Sequence, residues 1–244
     1  MKHLKTIFSV LALVAVFSCT KSKTESSGYV AFELSSNQDV VDVMTRSQVS
    51  DYTALPSAGD FTLTIKDASS ATVWSGLFSE WDSQTPLEAG NYTAEATYGG
   101  DEEGFDKPYF AGSQTFSVNG GSTTPVQISV TLNNTVIKIT ASEYFKKYFV
   151  DYEFKLTRDG QDVVVFAKDE TRAAFIDGYK ITLEYILKND SGTVFTNKTD
   201  YSQLESATAY TVKFDAPEVG GSSIVISFND TVETVELGDY ELND

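Results

Sequence analysis

The chain has 244 residues, with 18 lysines and arginines against 35 aspartates and glutamates, and a formal net charge of −17 at pH 7. Nucleic-acid binding needs clustered cations that displace counterions from phosphates, so this charge argues against a nucleic-acid partner. The sequence contains one cysteine, Cys19, and one histidine, His3. It therefore offers no internal disulfide and no zinc site built from several such residues.

An export signal opens the chain. The basic segment Met1–Lys5 precedes an apolar run, Ile7–Phe17, which only Ser9 interrupts. A membrane-spanning helix needs about 20 apolar residues, roughly twice this length, so the run predicts a cleaved signal peptide. That signal is either an ordinary one or that of a lipoprotein. Val16-Phe17-Ser18-Cys19 resembles the lipobox of bacterial lipoproteins, so we expect a signal peptide over residues 1–18 and a lipid on Cys19.

A short polar segment, residues 19–27, follows the signal and predicts a tether between the lipid and the folded protein. A lipoprotein carries more than one acyl chain, which is what stable membrane anchoring requires. Thr20 stands where an aspartate would resemble an inner-membrane retention signal, and this favours the outer membrane. We therefore expect a lipid anchor in the outer membrane, on its periplasmic or surface face, with the surface preferred.

Processing limits the chemistry of the mature chain. Cleavage removes His3 and acylation blocks Cys19, so no Ser-His-Asp or Cys-His arrangement and no His/Cys metal site can form. Paired carboxylates could still hydrolyse glycosides, although no pair stands out in the sequence. The densest acidic cluster, Asp101-Glu102-Glu103 with Asp106, lacks the spacing of a calcium loop and predicts a solvated loop tip. We expect a protein that is not an enzyme, with no catalytic residues, no cofactor and no metal.

From Gly28 onward, apolar residues alternate with polar ones, which is the period of strands with one face in a core. Turn signals such as Asn119-Gly120-Gly121-Ser122 separate the runs. The helical candidate is a turn or two over residues 142–147, with Ser142 as the N-cap. The chain is therefore predicted to be all-β. The alternating runs begin at Val30, Phe61, Tyr92, Val126, Tyr152, Ile181, Tyr210 and Ile224.

The two halves of the chain resemble each other. Asp60–Asp67 is similar to Asp151–Asp159, and each is followed by a second apolar run. About 215 residues of short strands exceed one ordinary sandwich. We therefore predict two tandem β-sandwich domains, at residues 28–134 and 135–244.

Two stretches of the first half, Leu87–Ala96 and Tyr109–Val118, together with the lipobox, the tether and the opening strand, resemble a domain-of-unknown-function family of Bacteroidota lipoproteins. The two-domain plan is more distantly similar to fimbrillin-type pilus proteins. This resemblance implies transthyretin-like or immunoglobulin-like sandwiches, a non-catalytic structural or adhesive role, and other pilus-like subunits as partners. Its motifs are structural, so they predict fold better than activity.

Fimbrillin-type pilins are cut after an arginine in the first domain and polymerise by donating a strand to a neighbour. Arg46, in Met44-Thr45-Arg46-Ser47, is the position that such a cut would match. Otherwise it is a solvated side chain in a loop. Tyr29–Leu34 and Thr231–Leu237 are the segments that could add to a neighbour's open sheet edge, or serve as ordinary strands.

A surface glycan-binding module of a polysaccharide-uptake system is the alternative function. Sugar sites on β-sandwiches combine exposed aromatic rings with a few oriented polar side chains. Trp81, flanked by Glu80 and Asp82, is the candidate for glycan stacking, and an aromatic lid over the end of the sandwich is the other interpretation. The predicted partners are thus a membrane, through the lipid, and either pilus-like subunits or a glycan.

Overall fold

The computed structural model of the chain describes residues 26–42, 46–100, 102–216, 223–228 and 231–237. Cys19 and the predicted signal peptide lie outside the described residues. Within those ranges the chain forms nineteen strands, three short 3-10 helices and one α-helix, so the all-β prediction is confirmed. None of the described helices is long and apolar enough to cross a membrane.

Each alternating run of the sequence forms a strand. The strands of the first half are β1 (Ser27–Asn37), β2 (Asp39–Asp42), β3 (Arg46–Gln48), β4 (Thr62–Asp67), β5 (Thr72–Leu77), β6 (Leu87–Glu88), β7 (Gly90–Tyr98), β8 (Gly104–Phe105), β9 (Phe110–Val118) and β10 (Thr123–Leu132). The 3-10 helices occupy Val49–Asp51, Ala58–Asp60 and Phe78–Glu80. The second half contains β11 (Thr135–Ala141), α1 (Glu143–Tyr148), β12 (Phe149–Arg158), β13 (Gln161–Phe166), β14 (Ala174–Ile176), β15 (Lys180–Asn189), β16 (Val194–Ser202), β17 (Thr208–Asp215), β18 (Ser223–Phe228) and β19 (Thr231–Glu236).

The first half forms a seven-stranded sheet in the order β5-β4-β7-β9-β10-β1-β6. β1 and β10 lie parallel, with Tyr29–Asn37 opposite Thr123–Thr131, whereas the other pairs of this sheet are antiparallel. β9 passes close to β10 at Gly112, where an added Cβ would lie 2.1 Å from the carbonyl oxygen of Ser129. Because the clash would be with backbone atoms, which cannot rotate away, only glycine fits at this position of β9.

The second half is a β-sandwich. Its four-stranded sheet, in the order β13-β12-β15-β16, packs against an eight-stranded sheet in the order β19-β18-β17-β11-β14-β8, which β2 and β3 join beside β17. Across the core, the ring of Phe214 lies 4.4 Å from that of Phe154 and 5.3 Å from that of Tyr185, measured between centroids. The Ser142 hydroxyl caps α1 by accepting a hydrogen bond from the N–H of Phe145 at 3.1 Å, as predicted.

Both halves share the eight-stranded sheet. Along β11, Val136 belongs to the core of the first half and Ile137 to the core of the second. Successive residues of a strand face opposite sides, so the sheet has a core on each side at this point. Two strands of the first half extend the same sheet, since β2 pairs with β17 and β8 pairs with β14. The two predicted domains are therefore joined by strand pairing as well as by the linker.

Candidate functional site

The candidate site is the outer edge of β1, which lacks a strand partner over most of its length. β10 pairs with one side of β1, and on the other side β6 reaches only Ser27 and Gly28; no strand in the described part of the chain pairs with the rest of that side. The N–H of Tyr29 donates to Ser122, just before β10, at 2.9 Å. Backbone groups alternate between the two sides of a strand, so those of Val30 face the outer edge. An unpaired edge of this kind can accept an added strand.

Trp81 covers the start of this outer edge. Its indole N–H donates to the carbonyl oxygen of Val30 at 3.0 Å. Its ring packs edge-on against Phe32 of β1 and Trp74 of β5, with centroid distances of 5.3 and 5.2 Å. Tryptophan in a packed position usually finds such a partner for its N–H. This arrangement is that of an aromatic lid, and glycan stacking on Trp81 stays a prediction.

The 3-10 helix Phe78–Glu80 brings Trp81 to this position. The N–H of Phe78 donates to the carbonyl of Phe61 at 2.7 Å and ties the turn to the start of β4. The carboxylate of Glu80 accepts from the N–H of Leu77 at 3.0 Å and closes the turn. The sequence suggests Glu80 as a polar group that could contact a sugar beside Trp81. In the structure its carboxylate instead stabilises the turn.

Arg46 begins the short strand β3, whereas the sequence predicts a loop at this point. Its backbone lies opposite Val41 of β2, in an antiparallel ribbon that joins the eight-stranded sheet. Three residues are too few to show a periodic pattern, which is why the sequence does not reveal this strand. Residues 43–45 lie outside the described residues. Protease cleavage after Arg46 stays a prediction.

The acidic cluster after β7 is divided among separate ion pairs. Glu102 pairs with Lys107, Glu103 with Arg158, and Asp106 with Arg172. The predicted solvated loop tip is correct for Glu102, whose side chain is 77% exposed, and wrong for Glu103, which is 16% exposed. Asp101 lies outside the described residues. In the described ranges no group of histidine, cysteine and acidic side chains could hold a metal ion.

Glu103 fastens the first half of the chain to the second. Its two carboxylate oxygens accept hydrogen bonds from the guanidinium of Arg158, each at 2.9 Å, and one also accepts from the N–H of Asp177 at 2.5 Å. The hydrogen-bonded carboxylate raises the pKa of Arg158. Beside this pair, the ring of Phe105 packs edge-on against Phe166 at 5.0 Å. We call Glu103, Phe105 and Arg158 the latch.

Sequence reasoning did not predict the latch. Glu103 and Arg158 lie 55 residues apart, and no local motif joins them. The acidic cluster is the one signal that the sequence gives, and a charge run of this kind is typical of a solvated surface as well.

A family model described as a domain of unknown function, DUF4493, matches residues 26–238. The chain belongs to the DUF4493 family. The match covers both halves of the chain and confirms the predicted membership of a domain-of-unknown-function family. No curated protein matches the DUF4493 chain.

Several solved structures resemble the fold of the DUF4493 chain at low identity. A candidate cell adhesion protein of Bacteroides eggerthii is 10% identical and aligns over 87% of this chain and 97% of its own, with a TM-score of 0.47. Candidate polysaccharide binding proteins of Bacteroides thetaiotaomicron are 12% identical over 88% of this chain and 100% of their own, with a TM-score of 0.43. The fimbrial anchor protein Mfa2 of Porphyromonas gingivalis is 12% identical over 84% of this chain and 98% of its own, with a TM-score of 0.40.

Proposed function

We propose that this DUF4493 protein is a non-catalytic structural or adhesive protein of the bacterial cell surface, fimbrillin-like and anchored in the outer membrane by a lipid on Cys19. The signal peptide and lipobox support the anchor, and the loss of His3 together with the blocked thiol supports the absence of catalysis. Residues 28–134 form the membrane-side domain, and residues 135–244 form the domain beyond it. Such a protein transmits tension between its anchor and whatever its outer half holds.

The parallel pairing of β1 with β10 is the observation that supports this proposal most directly. β1 follows the tether, so a pull on Cys19 acts on the N-terminal end of β1. β10 leads through Asn133 and Asn134 into the second half, so the opposing pull acts on the C-terminal end of β10. Because Tyr29–Asn37 and Thr123–Thr131 run in the same direction, the two forces slide one strand along the other.

Sliding loads the whole strand pair at once. The cross-strand hydrogen bonds then share the force, whereas two strands pulled apart from one end lose them singly. Val30 is fully buried, so moving β1 also exposes apolar surface, at a cost of about 25 cal/mol per Å². Unfolding under force is governed by the height of the unfolding barrier. Because detachment of β1 from β10 sets this barrier, β1 determines how much force the half next to the anchor withstands.

The joint between the halves continues the path of the force. Asn134 is buried, and its side-chain oxygen accepts a hydrogen bond from the N–H of Tyr109 in the first half. Its backbone carbonyl accepts from the N–H of Ala207 in the second half at 2.9 Å. With the latch and the pairs β2–β17 and β8–β14, the linker is held on both sides. Tension is thus spread over several contacts rather than borne by the linker alone.

Cleavage after Arg46 would give the protein a second, polymerising form. The cut separates the segment that holds β1 and β2 from the rest of the chain. Departure of β1 leaves an open edge on β10, and a strand from a neighbouring subunit could pair there, as the resemblance to fimbrillin-type pilins implies. The anchored form requires β1 in place, so the two forms use the same strand in different ways.

Metabolic labelling with a clickable fatty acid tests the anchor. We expect label on the wild-type protein, loss of label in Cys19→Ala, and removal of the labelled protein when intact cells are treated with protease. Mass spectrometry of the N-terminus separates the forms, since the anchored form begins at an acylated Cys19 and the cleaved form at Ser47. An unlabelled protein that fractionates with soluble periplasmic proteins would contradict the proposal.

Proline substitution tests whether β1 bears the load. By the alternation along β1, the N–H of Ser35 points to β10 and that of Ser36 to the outer edge. Ser35→Pro therefore removes a ladder hydrogen bond together with the 3.0 Å hydrogen bond between the Ser35 and Ser129 hydroxyl groups, and Ser36→Pro is the control on the outer edge. A loss of about 2 kcal/mol from the barrier makes unfolding under force roughly 30-fold faster for Ser35→Pro. Equal unfolding rates for the two variants would argue against a load-bearing β1.

A further inference from the structure

A cavity of about 400 Å³ lies at the edge of the four-stranded sheet. The turn Arg158–Gly160, between β12 and β13, forms one wall, and Gly178–Thr182, at the start of β15, forms another. Lys198 and Asp200 of β16 complete the lining. The volume falls within the roughly 300–1,000 Å³ that small-molecule sites occupy.

Tyr179 presents its ring at this cavity. It is 73% exposed, more than any other large apolar side chain in the described ranges. Gly178 before it has a φ of +90°, and a Cβ there would lie 3.6 Å from the guanidinium of Arg158. Arg158 also donates to the carbonyl of Asp177, and the carbonyl of Tyr179 accepts from the N–H of Leu204 at 3.0 Å. The latch and this backbone bond hold the segment that displays the ring.

The cavity also offers cations without a protein partner. The ammonium groups of Lys180 and Lys198 make no ion pair or hydrogen bond with any residue that the structure describes. The third cation, Arg158, is engaged in the latch. The two remaining cations, Lys180 and Lys198, are matched in number by the carboxylates of Asp159 and Asp200, so the lining is close to neutral on a chain of net charge −17. Thr182 donates to the carboxylate of Asp200 at 2.5 Å and fixes this acceptor in place.

We propose that this cavity binds an acidic saccharide, a sugar chain that contains uronic acid residues. The C–H face of a pyranose ring packs on a flat aromatic ring, which Tyr179 supplies. Lys180, next to the ring, is available to bind one sugar carboxylate, and Lys198, two residues beyond Asp200 on β16, is available to bind a carboxylate further along the sugar chain. Asp200, between them, can accept hydrogen bonds from hydroxyl groups. A neutral sugar leaves the lysines unused, and an acidic peptide lacks the pyranose face. The inference supplies a ligand for the adhesive part of the proposed function and rests on that function for its setting.

Calorimetric titration of the full chain with a galacturonate oligosaccharide tests the site. We expect binding that weakens about tenfold or more in Tyr179→Ala and in the double variant Lys180→Gln/Lys198→Gln, which should also lose most of the salt dependence. Tyr144→Ala removes a 42% exposed tyrosine of α1, and this matched control should bind as the wild type does. A glucose oligosaccharide and poly-glutamate should each bind at least about tenfold more weakly than the galacturonate.

Three results would overturn the assignment: no binding of the galacturonate, undiminished binding by Tyr179→Ala, or equal binding of the neutral sugar or of poly-glutamate. Circular dichroism checks the fold of each variant. Tyr179→Phe keeps the aromatic ring and should keep the affinity. The inference can therefore still be tested with this variant if Tyr179→Ala misfolds. The lipid anchor and the response to force are measured without sugar, so failure of the sugar site and failure of the proposed function are distinguishable.

Discussion

Breaking the latch should weaken the protein more than breaking an exposed ion pair of similar length. Glu103→Gln keeps the shape of the side chain and removes the charge that faces Arg158. Hydrogen bonds to charged groups contribute about 1.5–3 kcal/mol. Because the Arg158 side chain is 33% exposed, water recovers part of that energy, and we expect a loss of about 2 kcal/mol in the free energy of unfolding. This is below the roughly 3–5 kcal/mol for a fully buried pair that loses one partner.

Lys66 and Glu95 provide the control, because they pair across neighbouring strands of a single sheet. Their charged atoms are 2.7 Å apart, and the side chains are 33% and 38% exposed. The two cations are equally exposed, but Glu95 is 38% exposed and Glu103 only 16%, so water solvates the Glu95 carboxylate more fully. Ion pairs near the surface contribute about 0.2–1 kcal/mol, and Glu95→Gln should therefore cost less than Glu103→Gln. Urea unfolding gives both free energies on the same scale.

A double-mutant cycle isolates the contribution of the latch. Arg158→Gln, alone and together with Glu103→Gln, should give a coupling energy of about 1–2 kcal/mol. Trp74 and Trp81 both lie in the first half, so tryptophan fluorescence follows that half and far-ultraviolet circular dichroism follows the whole chain. The two signals should coincide in the wild type and separate in Glu103→Gln. Equal losses for Glu103→Gln and Glu95→Gln, or a coupling energy near zero, would refute this role.

Three further predictions concern single residues. Gly112→Ala places a methyl group 2.1 Å from a carbonyl oxygen of β10 and should lower the free energy of unfolding by about 1–3 kcal/mol or more, whereas Gly100→Ala, with no atom within 4 Å, should be near neutral in the same urea assay. Burial raises the pKa of Tyr185 from 10.0 to about 12, so the unfolded chain ionises first. The stability that this shift contributes is complete below about pH 10 and is lost as the pH rises to about 12. Tyr185→Phe should therefore reduce the alkaline loss of unfolding free energy by up to roughly 2.7 kcal/mol. An alkaline decline identical to that of the wild type would contradict this prediction. Trp81→Phe removes the hydrogen bond to Val30 and should cost about 1 kcal/mol, and unchanged thermal stability would contradict the lid.

The long strands could be predicted because their pattern is local. In β10, alternation alone assigns Val126, Ile128, Val130 and Leu132 to the core, and all four are buried. The cap of α1 is equally local, because the Ser142 hydroxyl accepts a hydrogen bond from the N–H of Phe145, only three residues later.

Contacts between distant segments could not be predicted in the same way. β8 has two residues and β2 has four, too few for a periodic pattern, and their places in the shared sheet depend on β14 and β17. The parallel pairing of β1 with β10 joins segments that are far apart in the sequence, so a local pattern does not reveal it either. For Trp81 the sequence left a lid and a glycan platform open, because polar neighbours suit both. The hydrogen bond to Val30 is a tertiary contact that no local pattern encodes.

Force spectroscopy with two attachment geometries tests most directly whether β1 and β10 carry the load. In the unlipidated chain, the thiol of Cys19 provides one attachment. The second is Asn133→Cys, just beyond the C-terminal end of β10, or Thr123→Cys, at its N-terminal end, and both positions are exposed. Pulling between Cys19 and position 133 slides β1 along β10, whereas pulling between Cys19 and position 123 peels the strands apart. We predict a rupture force about twofold or more higher for Asn133→Cys, and equal or reversed forces would contradict the load-bearing role.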